Sequence, residues 1–218
     1  NGQRELAEVI AGIRPLSKGT ITIGDELIKK TTPLEMIDRG VSYVPEDRLG
    51  MGLIPDMDSC ENLILKAYKS KRYAEKIFLK VPVIEHDTKD IVDKYNVKQA
   101  GIFKPVKMMS GGNLQKLLLA REIREEPRVM VVSYPSRGLD VGAIESVHRL
   151  LIGLKEKMTA LVIISEDLEE IIKLADRVGV IYGGKILGEF PAGSIEIDDI
   201  GLLMAGITPA GKEETVCR

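Results

Sequence analysis

Histidine and cysteine are nearly missing from this 218-residue chain, with two of each. Cys60 and Cys217 stand far apart and form no metal-ligand spacing, which points to a reducing, cytosolic setting rather than a disulfide or zinc scaffold. His86 and His148 have no partner close in sequence and read as surface or packing residues, not catalysts. Long apolar runs are missing too: none approaches the roughly 20 residues that a bilayer span needs. No signal peptide is expected, and the sequence contains no internal repeat or low-complexity tract. Neither sign of charge is in excess. Lys and Arg number 31 and Asp and Glu 33, a net charge of −2, so no basic field calls for nucleic acid. What remains is a chain long enough for one large domain with an ample core.

Its punctuation suggests an α/β organisation. Residues 20–28 break at Gly24-Asp25 as a hairpin does, and residues 178–190 break the same way at Gly183-Gly184. Apolar runs at 129–132, 160–165 and 178–182 alternate with helical patterns, which predicts a parallel sheet covered on both faces. Strand signals thin out over residues 51–108, where 61–65 and 87–95 read as helices and Pro82, Gly101 and Pro105 mark loops. Residues 207–218 read as a frayed polar tail.

Four short segments carry chemistry. Ser110-Gly111-Gly112 precedes a helical pattern in which Leu114, Leu117, Leu118 and Ile123 recur at three and four residues. Such a helix start can hold phosphate: the glycines admit a ligand to the backbone, and the helix dipole adds partial positive charge. An ordinary serine N-cap is the plain alternative. After a hydrophobic run come Ser133-Tyr134-Pro135-Ser136-Arg137-Gly138-Leu139-Asp140, where Asp140 can equally cap the helix over 141–154. Asn1-Gly2-Gln3-Arg4-Glu5 opens the chain ahead of an amphipathic helix over 5–13, although Asn-Gly alone is a turn signal. Val44-Pro45-Glu46-Asp47-Arg48 ends a short strand in an acidic turn, and Ser165-Glu166-Asp167 closes the run at 160–165, itself a sound helix start.

Taken in order, these segments resemble the ATP-binding domain of ABC transporters over nearly the whole chain. Residues 109–116 are similar to the signature motif, 129–140 to the Walker B strand and D-loop, 40–48 to the Q-loop, and residues 1–6 to the end of a phosphate-binding loop. The chain thus opens inside a motif and is expected to be a fragment. The resemblance implies a P-loop NTPase-like ABC ATPase core over residues 1–218, with a mostly parallel sheet, an antiparallel β portion and a helical subdomain at 51–108. It implies ATP as cofactor, with contacts from Asn1, Gly2, Gln3, Arg4, Glu5, Glu46, Ser110, Gly111, Gly112, Asn113, Gln115, Gly138 and Asp140. Val-Pro-Glu-Asp-Arg, residues 137–145 and residues 200–206 are similar to the second half of tandem importers for simple sugars or nucleosides, above all those linked to basic membrane lipoproteins. The partners so implied are an N-terminal ATP-binding half of the same chain, membrane permease subunits at the cytoplasmic face and, indirectly, a solute-binding lipoprotein. Nucleic acid is not among them.

Against that template six positions are exchanged. Gln3 stands where the family has the phosphate-binding Lys, Arg4 where it has Ser or Thr, and Glu46 where it has Gln. Ser133-Tyr134 replaces Asp-Glu, and Glu166 replaces the switch His. Phosphoryl transfer to water needs held phosphates, a held metal and an oriented water. Tyr134 is no anionic base, since a phenol titrates near ~10. Ser133 has no charge with which to fix a metal's water shell, and Arg4 is a cation where the metal wants oxygen. No catalytic residue is therefore intact and no metal ligand is expected, and Arg4 is expected to replace part of the metal's charge. Two alternatives stay open: an autonomous ATPase with unusual residues, and a non-transport ABC protein acting on nucleic acid.

Overall fold

In chain order the elements are α1 (Gln3–Ile10), β1 (Ile21–Ile23), β2 (Glu26–Ile28), α2 (Pro33–Asp38), β3 (Val41–Val44), α3 (Ser59–Ile64), β4 (Ala74–Glu75), β5 (Phe78–Leu79) and α4 (Val81–Lys94). After these come α5 (Gly111–Arg124), β6 (Val129–Ser133), α6 (Val141–Glu156), β7 (Ala160–Ile164), α7 (Leu168–Leu174), β8 (Arg177–Tyr182), β9 (Lys185–Pro191) and α8 (Ile197–Met204). The computed structural model describes residues 2–29 and 31–207, so Asn1, Lys30, the tail from 208 onward and Cys217 lie outside the described residues.

The sheet that matters is β3-β6-β7, parallel throughout, with Val41 opposite Val129 and Val129 opposite Ala160. Its central strand is apolar on both sides because both are covered. Val131 packs with Ala7 of α1 on one face, while Met130 and Val132 pack with Leu117 and Leu118 of α5 and Val147 and Leu151 of α6 on the other. A period of two along β6 thereby fixes helices to opposite faces, and all three strands end at the same edge. Gly12, at φ +75°, ends the first helix earlier than the periodicity predicts, at Ile10 rather than Ile13.

Both hairpins form, β1 with β2 and β8 with β9, each antiparallel around the expected glycine turn. The expectation that residues 178–182 also extend the parallel sheet is corrected: among the described residues β8 pairs only with β9. A groove of about 610 Å³, lined by Leu161, Ile163, Val178 and Val180 among others, separates β8 from the open edge of β7. That open edge is why β7 is only half-buried over most of its length.

Both expected helices between residues 51 and 108 form, each with a local reason, but α4 begins at Val81 rather than near 87, so the reading of Pro82 as a loop marker is corrected. Asp58 and Glu61 form a reciprocal capping box at the start of α3, and Pro82 stands in the first turn of α4. Cys60, Ile64, Tyr73 and Ile84 make a small core of their own. The β4–β5 hairpin between these helices went unread in the sequence, because two-residue strands leave no periodicity to see. His148 is indeed a packing residue: its Nε2 lies 2.8 Å from Glu170 Oε1 in a buried contact between α6 and α7. His86 is exposed beside Asp90, one turn on.

Candidate functional site

The loops that follow β3, β6 and β7 meet at the C-terminal edge of the parallel sheet and bring together residues far apart in sequence. Glu46 leaves β3, Tyr134 and Arg137 leave β6, and Glu166 leaves β7. Arg137 Nη1 forms an ion pair with Glu46 Oε1, and its guanidinium lies over the Tyr134 ring, 5.5 Å from the centroid. The Tyr134 hydroxyl donates to Glu166 Oε1 at 3.3 Å. Burial first, and then the nearby Glu166 and Glu46 charges, push the Tyr134 phenol above its usual value, so it stays a neutral donor. Tyr134 also adopts a left-handed backbone, at φ 51°. Ser133 ends β6 buried, and its hydroxyl has no hydrogen-bond partner.

The start of α1 lies against the same sheet. Gly2 takes the N-cap position with φ 116°, a conformation suited to glycine, and no side chain caps the helix. Gln3 is half-buried and, with Leu6, reaches the groove beside β7, while Glu5 stays exposed. Arg4 turns away from the role expected of it. Its Nε donates to Glu8 Oε1 at 2.8 Å, and Glu8 also accepts from Arg14 Nε and Nη2 at 3.0 and 2.8 Å. Arg14 foremost and Arg4 next hold the Glu8 carboxyl below its ordinary range. The Arg4 charge is already partnered within the chain.

A magnesium ion does not fit these side chains. The one carboxylate at the Q-loop position is taken by Arg137, Glu166 accepts from a phenol, and Ser133 is neutral and buried. Among the described residues no three His, Cys, Asp or Glu side chains gather as a metal site would require.

The second region is the start of α5. Ser110 occupies the N-cap position, but its side chain makes no cap bond, so the plain alternative of an ordinary serine cap finds no support. Its Oγ instead accepts from Asn113 Nδ2 at 2.8 Å, and Asn113 Oδ1 accepts from the Lys98 N–H at 2.8 Å. The first two amides of the helix, Gly111 and Gly112, are thereby left without a side-chain acceptor, as at a helix end open to an anion. The two glycines differ. A Cβ on Gly112 would fall 2.9 Å from Ala143 Cβ, so its smallness lets α5 meet α6, whereas a Cβ on Gly111 would meet nothing closer than 3.7 Å. Asp140 does cap: it accepts from the Ala143 N–H at 2.9 Å and starts α6, and Gly138, at φ +68°, turns the loop into it. Gln115 is 1% exposed, and its Oε1 accepts from Arg48 Nε at 2.6 Å.

Two residues that join these regions had no role in the sequence reading, Arg137 and Arg48. The signal was present: each is a cation close in sequence to an exchanged position, and Glu46 supplied an unbalanced carboxylate. Only the fold shows which cation it takes.

The family model of ABC transporters matches residues 2–135. The guanosine import ATP-binding protein NupO of Bacillus subtilis is 36% identical over 214 residues, 97% of this chain and 42% of that protein. The glucose import ATP-binding protein TsgD13 of Haloferax volcanii is 38% identical over 208 residues, 94% of this chain and 38% of that protein. The nucleoside import ATP-binding protein NupA of Lactococcus lactis is 35% identical over 206 residues, 94% of this chain and 41% of that protein. The chain therefore spans about two-fifths of the length of these relatives. Among solved structures, the ATP-binding cassette MJ0796, a dimer bound to ADP and phosphate, superimposes with a TM-score of 0.70 over 88% of this chain and 81% of its own, at 17% identity. At that identity the likeness shows the fold alone.

Proposed function

Because the chain belongs to the ABC transporter family and has the fold of its ATP-binding cassettes, we propose that it is the non-hydrolysing, C-terminal ATP-binding half of a tandem importer ATPase for nucleosides or simple sugars. In this reading its own site holds nucleotide without turnover, and its signature helix completes the active site of the N-terminal half. The observation that carries the reading is the contrast at the sheet edge. The groups that would handle metal and water are exchanged and engaged with one another, while the amides of Gly111 and Gly112 stand open.

Each residue has a part. The backbone at Gly2, Gln3 and Arg4 would face the phosphates of the retained nucleotide, with Glu5 beside them. Glu46 and Arg137 fasten the Q-loop to the D-loop in place of a shared metal, and Tyr134 holds Glu166. Ser110, Gly111 and Gly112 would meet the γ-phosphate bound by the other half, with Asn113, Gln115, Gly138 and Asp140 supporting them. The names of the relatives, import ATP-binding proteins for guanosine, glucose and nucleosides, support the transport role and the solute class. Among the described residues no helix is long and apolar enough to cross a membrane, so attachment to one would run through permease subunits. The solute-binding lipoprotein would then act from the far side.

Residues 51–108 are the proposed helical subdomain and, with the Glu46 loop, the proposed permease contact. Apolar side chains exposed there, Ile54, Phe103 and Met108, support that placement. Cysteine at Asp56 is the better cross-linking probe, because Asp58 caps α3.

The test uses an ATP analogue with a photoreactive group on its γ-phosphate, bound to the assembled ATPase. Labelling of the segment Ser110-Gly111-Gly112 is the expected result. Labelling confined to the other half would overturn the composite site.

A further inference from the structure

We propose that Arg48 is the positioning residue through which this chain's own site acts on its signature helix, α5. The inference rests on the composite-site reading above and adds to it a physical link. Arg48 uses two arms of its guanidinium in hydrogen bonds, and the third points toward the start of α5. Its Nε donates to Gln115 Oε1 at 2.6 Å, its Nη2 donates to the Arg137 carbonyl, and its Nη1 lies 3.7 Å from where a Cβ of Gly111 would stand. One planar fork thus joins the D-loop to the second turn of α5 and lies beside its first residue.

Its place in the chain makes the contact directional. Arg48 stands two residues after Glu46, whose carboxylate pairs with the Arg137 side chain. Arg137 is accordingly held at both ends, by Glu46 through its side chain and by Arg48 through its carbonyl. On the other side Arg48 opens a π-helical turn, Arg48–Gly52, which the Asp47 carboxylate fastens by accepting from the N–H groups of Leu49 and Gly50 at 3.2 and 2.8 Å. The turn then packs on α5: a Cβ at Gly52 would fall 2.7 Å from Leu118 Cδ2, and Leu53 is buried in the main core. A displacement of the Glu46 loop therefore cannot be absorbed locally, and it arrives at Gly111 through Arg48.

Gln115 supports the same conclusion. It is 1% exposed and its Nε2 has no hydrogen-bond partner among the described residues, so there Arg48 is the one group that bonds this buried amide. A residue kept only for packing would be better apolar, since an unpaired buried donor costs stability. Lysine at position 48 could not reproduce the contact, because a single ammonium has no fixed fork.

The experiment measures steady-state ATPase in the assembled protein with Arg48→Lys, Gln115→Leu, Gln115→Glu and the double variant Arg48→Lys/Gln115→Leu. Arg48→Lys and Gln115→Leu should each lower kcat by ~3- to 30-fold, with KM for ATP unchanged to within about twofold. Gln115→Glu should lose clearly less than Gln115→Leu, since it keeps an acceptor for Arg48, and the double variant should fall no further than either single one. The proposal is overturned if Gln115→Leu matches the parent while Gln115→Glu is worse, the order a packing role predicts, or if the two losses multiply. Photolabelling of Gly111 in the parent protein separates the two levels of argument. With the label present, an unchanged kcat sinks the role of Arg48 alone; with the label absent, the composite site falls as well.

Discussion

Two regions at one edge of a single sheet have been treated in opposite ways. Where the loops after β3, β6 and β7 converge, each charged group at an exchanged position has an internal partner: Glu46 has Arg137, Glu166 has Tyr134, and Arg4 has Glu8. At the start of α5, in contact with those loops through Arg48, Ser110 leaves the helix amides uncapped. The first region would gain function only from side chains it no longer has. The second needs no more than a backbone in the right place. On the reading proposed above, catalysis is lost by six side-chain exchanges while the anion-holding geometry of the same fold persists.

The comparison breaks most sharply at Ser110. Ser110→Arg sets a bulky cation at the open helix end, and the ATPase of the assembled protein should fall by ~10²–10³, about 3–4 kcal/mol of lost transition-state stabilisation. The melting temperature should move by only a few degrees. Near-normal turnover in a phosphate-release assay would mean that the open end is not used.

A smaller effect distinguishes a serine at a cap position from a true cap. Asp140→Ala removes the bond to the Ala143 N–H and should cost about 1 kcal/mol in urea unfolding. Ser110→Ala should cost only a few tenths, because no cap bond is lost. Equal losses would show that Ser110 is structural after all.

Smaller still is the contribution of Tyr134 to the closed region. Tyr134→Phe should cost about 0.5 kcal/mol, the low end for a net hydrogen bond. Its pKa is raised in the fold, so its neutral form is favoured there. The stabilisation is complete below the usual phenol value near ~10 and is lost only as pH rises through the higher folded value. In a phenolate-absorbance titration the substitution should remove the component that titrates above an ordinary tyrosine. Removal of an ordinary component would contradict the burial of the ring.

No effect at all is expected from restoring the two Walker B side chains. Ser133→Asp with Tyr134→Glu in this chain alone should leave phosphate release at background, since Arg4 remains with Glu8 and catalytic groups act as a unit. Robust turnover by that double variant would show that the closed region lacked nothing else.

The parallel pair β6 and β7 was legible because both strands carry the apolar density that double coverage requires, whereas β3 was read only as a short strand. The signature and D-loop were legible because their residue types stand in a fixed order. What could not be read was how charged side chains pair across the fold: Arg4 pairs one turn along its own helix, whereas Arg137 pairs with Glu46, 91 residues away. Sequence order gives no distance for a pair of that kind. The placement of β8 escaped for a related reason, since an apolar run of five residues suits a sheet interior and a hairpin equally well.

Gly112 carries one more lesson. Because α5 and α6 meet there with no room for a methyl group, the two helices share a rigid corner, and the residue is demanded by that corner whether or not a nucleotide ever arrives. A signature glycine can therefore outlive the chemistry that it is taken to announce. In this motif the informative small residue is Gly111, whose missing side chain packing does not require.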